Sequence, residues 1–202
     1  MCGRFVIIDD AGIAEVNKIL HEIGLKYDGT GIAVKTGEIF PTDSVPVCII
    51  KDDKPTLTLM KWGFPKWDGK GVIINARAET VAAKGMFAQS FALRRCVVPS
   101  TGFYEWGKTD GRAKQKYRFN DPCGPMLYMA GVYSCYPSAN QAEQLTEKFV
   151  ILTCDASAAI SDIHDRMPVI LHKNEIVRWL SDYEFACSVI KRDGMSLVRL
   201  VE

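Results

Sequence analysis

The chain has 202 residues, 48% hydrophobic and 24% charged, with a formal net charge of +1. That size and balance fit one domain with a real core and exclude a wholly disordered chain. No apolar run reaches the ~20 residues of a membrane helix, and the start MCGRFVIIDD lacks the pattern of a secretory leader.

Residues 3–8 read as a short strand of apolar and branched side chains. Asp9 or Asp10 then caps a helix in which Ile13, Val16, Ile19, Leu20 and Ile23 keep helical spacing, and Gly24 ends it. Residues 29–37 are glycine-rich and loop-like. Strands follow at 45–50 and 57–62, split by turn residues 52–55. A turn at 69–71 precedes a strand at 72–75, and alanine-rich 76–93 reads as helix, broken near Gly85. Strands at 96–98 and 103–106 flank a turn at 99–102. Further strands fall at 116–120, 126–133 and 149–154, with a polar loop at 137–147. A short helix is expected over 156–163, an apolar strand over 168–171, helices over 174–180 and 183–190, and a last strand over 196–201. Many short strands, few helices and no βαβ rhythm predict an α+β protein. Its expected core is a curved, mainly antiparallel, barrel-like β-sheet with flanking helices, in a single domain spanning 1–202.

The charge is unevenly spread. Residues 1–60 carry −3, residues 61–118 carry +8 and residues 119–202 carry −4. The basic block includes Arg77, Arg94, Arg95, Lys108, Arg112, Lys116 and Arg118, interleaved with Trp62, Trp67, Phe103, Tyr104 and Trp106. Cations beside flat rings suit a single-stranded nucleic acid, whose phosphates need charge and whose unstacked bases need faces. A solvated basic surface around core aromatics has the same composition. The seven cysteines are scattered, with no C-x-x-C pair and no finger spacing to histidine, so the pattern predicts reduced thiols, no zinc site and a cytoplasmic protein.

Cys2 follows the initiator directly. If Met1 is trimmed, the chain begins with an α-amine and a thiol on one residue, groups that ordinarily titrate near ~8 and ~8.5. Such an aminothiol condenses with an aldehyde to an imine, and its thiol then closes a thiazolidine ring. The same residue also suits an amidohydrolase nucleophile, or a merely buried thiol.

Four blocks narrow the choice. They are Met1-Cys2-Gly3-Arg4-Phe5, Asn75-Ala76-Arg77-Ala78-Glu79-Thr80, Arg95-Cys96-Val97-Val98-Pro99 running into Gly102-Phe103-Tyr104-Glu105-Trp106, and His164-Asp165-Arg166-Met167-Pro168-Val169. Together, and in this order, they resemble the SOS-response-associated peptidase (SRAP) family of abasic-site processing proteins. Trp62-Gly63, with Pro65 and Trp67, is a weaker fifth match. The resemblance implies the SRAP fold and a DNA-damage role: binding abasic sites in single-stranded DNA and crosslinking through Cys2 once Met1 is gone, with strand nicking as a lyase. It implies that Cys2 is the nucleophile, that Asn75 contacts the Cys2 end, that Glu105 moves protons near the amine and that His164 helps open the sugar. Arg4 and Arg77 would hold phosphates, Arg166 would lie nearby on the DNA, and Pro41 with Trp67 would wedge or stack on bases. No cofactor, no metal and no membrane are implied; the expected partner is damaged single-stranded DNA, met by a monomer that joins the nucleoid when bound.

Two other readings stand beside it: a peptidase using Cys2 with Glu105 and His164, and a noncatalytic single-strand-binding module. Taken alone, Glu105 alternates with Tyr104 and Trp106 in a strand and so points to water, His164 is an ion-paired surface residue, and Arg77 pairs with Glu79. The sequence also departs from the family's Asn-x-x-Pro-Thr pattern, with Glu38 ahead of Ile39-Phe40-Pro41-Thr42. The segment 66–71 is short, and no polar extension follows Glu202.

Overall fold

The computed structural model describes residues 2–8, 13–30, 34–107, 114–137 and 145–202. Strand β1 (Phe5–Ile7) leads to helix α1 (Ala14–Lys26), and β2 (Gly37–Ile39) pairs back on β1. Strands β3 (Ser44–Lys51) and β4 (Lys54–Trp62) form a hairpin. Its two turn residues, Asp52 and Asp53, both sit at positive φ (50° and 60°), the left-handed pair that matches the twist of the flanking strands. A ribbon of β5 (Phe64–Pro65) and β6 (Val72–Ile73) precedes β7 (Asn75–Arg77), which runs into α2 (Ala78–Val81) and α3 (Gly85–Leu93). Then come β8 (Arg95–Ser100), β9 (Gly102–Gly107), β10 (Gln115–Asn120), β11 (Leu127–Pro137) and β12 (Leu145–Asp155). The described chain closes with β13 (Arg166–Pro168), β14 (Ile170–Leu171), a 3-10 turn, α4 (Ile176–Ser181), α5 (Tyr183–Val189) and β15 (Val198–Val201).

Strands β12, β4, β3, β8 and β11 close a five-membered ring. Antiparallel pairings carry the sheet from β4 through β3, β8 and β11 to β12, and a short parallel pairing, Lys148 with Lys61 and Phe149 with Trp62, seals it. Beyond that seal β12 pairs in parallel with β7, placing Asn75 opposite Ile151. Strands β13 and β14 bridge β11 and β12. Val169 donates to Leu152 O and accepts from Ala130 N, each at 2.8 Å. Gly131 marks how tight the ring is: a Cβ there would lie 2.9 Å from both Cys96 Sγ and Val150 O. A second sheet, ordered β15–β10–β9–β1–β2, is antiparallel throughout. Its inner face joins the same core. Phe5 meets Trp62 at 5.1 Å between ring centroids, Trp62 stacks on Phe149 at 6.4 Å, and Phe103 stacks on Phe119 at 5.3 Å. These rings are fully buried, each worth about 1.5–3 kcal/mol of apolar burial.

The α+β, mainly antiparallel, barrel-like expectation holds, with differences at element ends. Helix α1 starts with Ile13 at its N-cap and no capping side chain; Asp9 and Asp10 lie outside the described residues. It runs through Gly24 because tertiary bonds hold the last turn. Lys26 Nζ donates to Leu57 O at 2.7 Å, and Tyr27 OH shares a 2.8 Å bond with Thr58 Oγ1. These outweigh the ~1 kcal/mol helix penalty of one glycine. Pro99 lies inside β8 rather than in a turn, and the chain reverses at Thr101, whose N–H donates to Val6 O at 2.8 Å. Strands β11 and β12 extend into the expected polar loop as far as Pro137 and from Leu145; 138–144 lie outside the described residues. Residues 156–163 form turns, not a helix. They close the connection between paired β12 and β13, pinned by Ala156 N–H to Asp165 O at 3.0 Å.

Candidate functional site

Three strands and a turn bring the first block and its expected partners together. Cys2 is fully buried just ahead of β1, its Sγ 3.6 Å from Arg4 O. Asn75, at the start of β7, donates from Nδ2 to Cys2 O at 2.9 Å. Its Oδ1 is buried and has no hydrogen-bond partner among the described residues. Glu105 lies in β9, opposite Tyr117, and is 5% exposed. Strand alternation does turn it away from Tyr104 and Trp106, but that side is the protein interior, so the expectation that it points to water fails. Burial raises the Glu105 carboxyl above its usual range, and the charge of His164 opposes the rise. Burial likewise pushes the Cys2 thiol far up, and the Glu105 charge adds to it. The electrostatics therefore place Glu105 within reach of both Cys2 and His164.

His164 ends the turn before β13 and is about a quarter exposed. Its Nδ1 accepts the Arg166 backbone N–H at 3.0 Å, and Asp165 Oδ1 lies 2.9 Å from the same nitrogen, an ion pair when the ring is charged. Nδ1 accepts from the backbone only when it is unprotonated, and it faces Asp165 as a donor when it carries a proton. Asp162 does not share this histidine; it pairs with Arg199 at 2.7 Å.

Arg166 is not placed as a phosphate ligand. It is 7% exposed and bonds Glu79 through both guanidinium nitrogens (2.7 and 2.9 Å), Asp155, and Thr153 O at 2.6 Å. Its bond holds the Glu79 carboxyl below the usual range. This clamp fixes the end of β12, the start of α2 and the His164 turn together. Glu79 and Asp155 are partners of Arg166 that the sequence did not disclose; Glu79 pairs with Arg166 and not with Arg77 as expected. Arg77 is exposed and has no ion pair with it.

The basic, aromatic block divides. Trp62 and Phe103 are core residues, and Arg95 is buried, donating to Trp179 O, Phe91 O, Ala92 O and Leu180 O. Those three leave the surface reading, while Lys108 and Arg112 lie outside the described residues. Trp67, by contrast, is 94% exposed on the turn after β5. Pro41 lies in a tight turn with Thr42 at φ 78°, clipped by Thr42 N–H to Trp62 O at 2.8 Å and Phe40 N–H to Asp43 Oδ2 at 2.9 Å. Arg4 is half-buried beside that turn, its guanidinium 3.6 Å from the centroid of the Phe40 ring. All seven cysteines are free, and no cluster of three or more metal-type ligands exists among the described residues. No helix among them is long and apolar enough to cross a membrane.

A family model described as SOS response associated peptidase (SRAP) matches residues 1–191. The chain belongs to this family. Among SRAP relatives, the abasic site processing protein YoqW of Bacillus subtilis (strain 168) is 29% identical over 189 residues, spanning 90% of this chain and 80% of that one. The abasic site processing protein YedK of Escherichia coli (strain K12) is 31% identical over 185 residues, spanning 89% and 79%. A crystal structure of a Bacteroides thetaiotaomicron protein shares the fold, with a TM-score of 0.78 at 24% identity over 99% of this chain and 91% of that one.

Proposed function

We propose that this protein captures abasic sites in single-stranded DNA and joins to them covalently through Cys2 after Met1 is removed. The observation that carries the reading is the Asn75–Cys2 bond, which holds the chain start beside the buried Glu105 carboxyl. The relatives' names support the substrate. A raised carboxyl is suited to take a proton from the α-ammonium near neutral pH, and the His164 ring, when it carries its second proton, is suited to protonate the sugar's ring oxygen as it opens. The neutral amine adds to the aldehyde, and the carbinolamine loses water to give an imine. The Cys2 sulfur then bonds the imine carbon, while its proton passes to nitrogen, closing the thiazolidine. A thiol held protonated by burial fits this order, with the amine attacking first.

From the imine, loss of a proton beside it would expel the 3′ phosphate, which is the lyase branch. Peptide hydrolysis is disfavoured, because a cysteine protease needs a lowered thiol pKa and burial raises this one. In this reading the protein works in the cytoplasm as a cofactor-free monomer, one domain over residues 1–202. Arg4 and Arg77 take phosphates, and Pro41 and Trp67 meet bases. The test is a denaturing gel of protein mixed with single-stranded DNA containing one abasic site. A heat-stable shifted band that vanishes in Cys2→Ala is expected. No such band, with a native-gel shift that salt abolishes and Cys2→Ala leaves alone, would replace this reading with a binding module.

A further inference from the structure

The outward face of the second sheet holds a cation pair closed by a carboxylate. Arg4, just ahead of β1, donates from Nη1 to Glu38 Oε2 at 2.7 Å, and Lys116 on β10 donates to Glu38 Oε1. The floor beneath them is aromatic. The Arg4 guanidinium lies 3.6 Å from the Phe40 ring centroid and 5.3 Å from that of Trp106, and the Lys116 ammonium lies 3.9 Å from that of Tyr104. Strand register puts these groups on one face: Lys116 stands opposite Trp106, and Tyr104 N–H donates to Arg4 O at 2.9 Å.

This is not a core clamp of the Arg166 kind. The side chains of Arg4 and Lys116 are each 25% exposed and that of Glu38 is 33% exposed, so solvent and solutes reach all three. The Arg4 Nε–H is buried and has no acceptor among the described residues, so this fork is not saturated by Glu38. A carboxylate gripped by two cations presents what a phosphodiester presents: a single negative charge spread over two acceptor oxygens. Phe40, 42% exposed, offers a ring beside the cations to an unstacked base.

We propose that Arg4 and Lys116 form a phosphodiester subsite two residues from Cys2, occupied by Glu38 until a nucleic-acid strand displaces it. This rests on the single-strand reading above and extends it: Lys116 becomes a strand contact, and Glu38 a built-in competitor that lowers affinity for undamaged strands. Exchanging one anion for another leaves the local charge balance unchanged, so the occupied subsite releases fewer counterions than free cations would. Nearby Arg118 does not replace the pair, because its Nη2 is held by Thr101 O at 3.0 Å.

The experiment uses the full chain in a Cys2→Ala background, which removes crosslinking, and a fluorescent undamaged oligo-dT read by anisotropy across a salt series. Glu38→Gln is expected to bind about five- to tenfold tighter, the range set by releasing two half-exposed ion pairs. Its plot of log affinity against log salt should steepen by about 0.7, the value for one phosphate neutralised. Lys116→Gln should weaken binding and flatten the plot by about 0.7. Glu175→Gln removes the same charge from a carboxylate that pairs with Arg192 instead, and should match the parent. A purely structural Glu38 would lower the melting temperature without raising affinity. That result, or unchanged affinity and slope in Lys116→Gln, overturns the subsite while the single-strand reading survives. A parent that binds no oligonucleotide overturns both.

Discussion

Replacing Arg166 with methionine separates a clamp from a phosphate contact. In the structure the guanidinium donates to the buried Thr153 carbonyl at 2.6 Å, a charge-assisted bond whose loss costs about 1.5–3 kcal/mol. The fork to Glu79 adds about 0.5–1 kcal/mol, discounted because the Glu79 side chain is 46% exposed. Asp155, at 89% exposed, turns to water at little cost. The variant should therefore lose about 2–4 kcal/mol, which for a chain of this length lowers the melting temperature by about 5–15 °C. Thermal melts followed by circular dichroism measure the first quantity, and anisotropy with single-stranded DNA across salt measures the second. Below its melting point the variant should keep the parent's salt dependence. A melting temperature within a degree of the parent, with a salt slope reduced by about 0.7, would refute the clamp and restore Arg166 to the DNA.

Trp67→Ala should leave stability within about 0.5 kcal/mol, since the ring is almost wholly in solvent, yet weaken single-strand binding by about 1–3 kcal/mol; equal affinity in a titration would remove Trp67 from the interface. Glu105→Gln should slow crosslinking by about 10²-fold or more in a gel time course, with binding retained. It should also change the pH dependence of stability. Burial raises the Glu105 carboxyl in the folded state, so the folded protein keeps a proton that the unfolded chain has already lost. Stability from this group is intact at acid pH and falls as pH climbs from the ordinary carboxylate range through the raised folded value. Urea melts should show the Gln variant gaining on the parent across that window, and parallel curves would contradict the assignment. Gly131→Ala should destabilise by about 1–3 kcal/mol, because its Cβ would meet Cys96 Sγ and the Val150 carbonyl at 2.9 Å; an unchanged denaturation midpoint would mean the ring yields there.

Much of this was legible in the residues, for identifiable reasons. Short apolar runs bounded by turn residues located most strands, because strand ends depend on local turn chemistry such as Asp52–Asp53, but β2 and β5 were missed and the end of β7 was read as helix. Ring closure was not legible, since the parallel pairing of Phe149 with Trp62 leaves no local mark on either segment. Gly24 and the 156–163 segment misled for the same reason: distant bonds to Leu57, Thr58 and Asp165 decided them. At the site, the residue blocks located Cys2, Asn75, Glu105 and His164. The face that Glu105 presents could not be read, because alternation gives relative direction and not which side is the core. The carboxylates of Glu79 and Asp155 against Arg166 could not be read either, because a motif arginine looks the same with or without them.

The seal between β4 and β12 also dictates an order of events during synthesis. Residues near position 2 leave the ribosome first, whereas the strand that completes the ring, and the turn carrying His164, emerge when most of the chain is already made. Contacts so distant in sequence form late. In the finished fold Cys2 has no solvent-accessible surface. The setting that holds Cys2, with Asn75 on the strand paired to β12, is therefore assembled only as the last strands join.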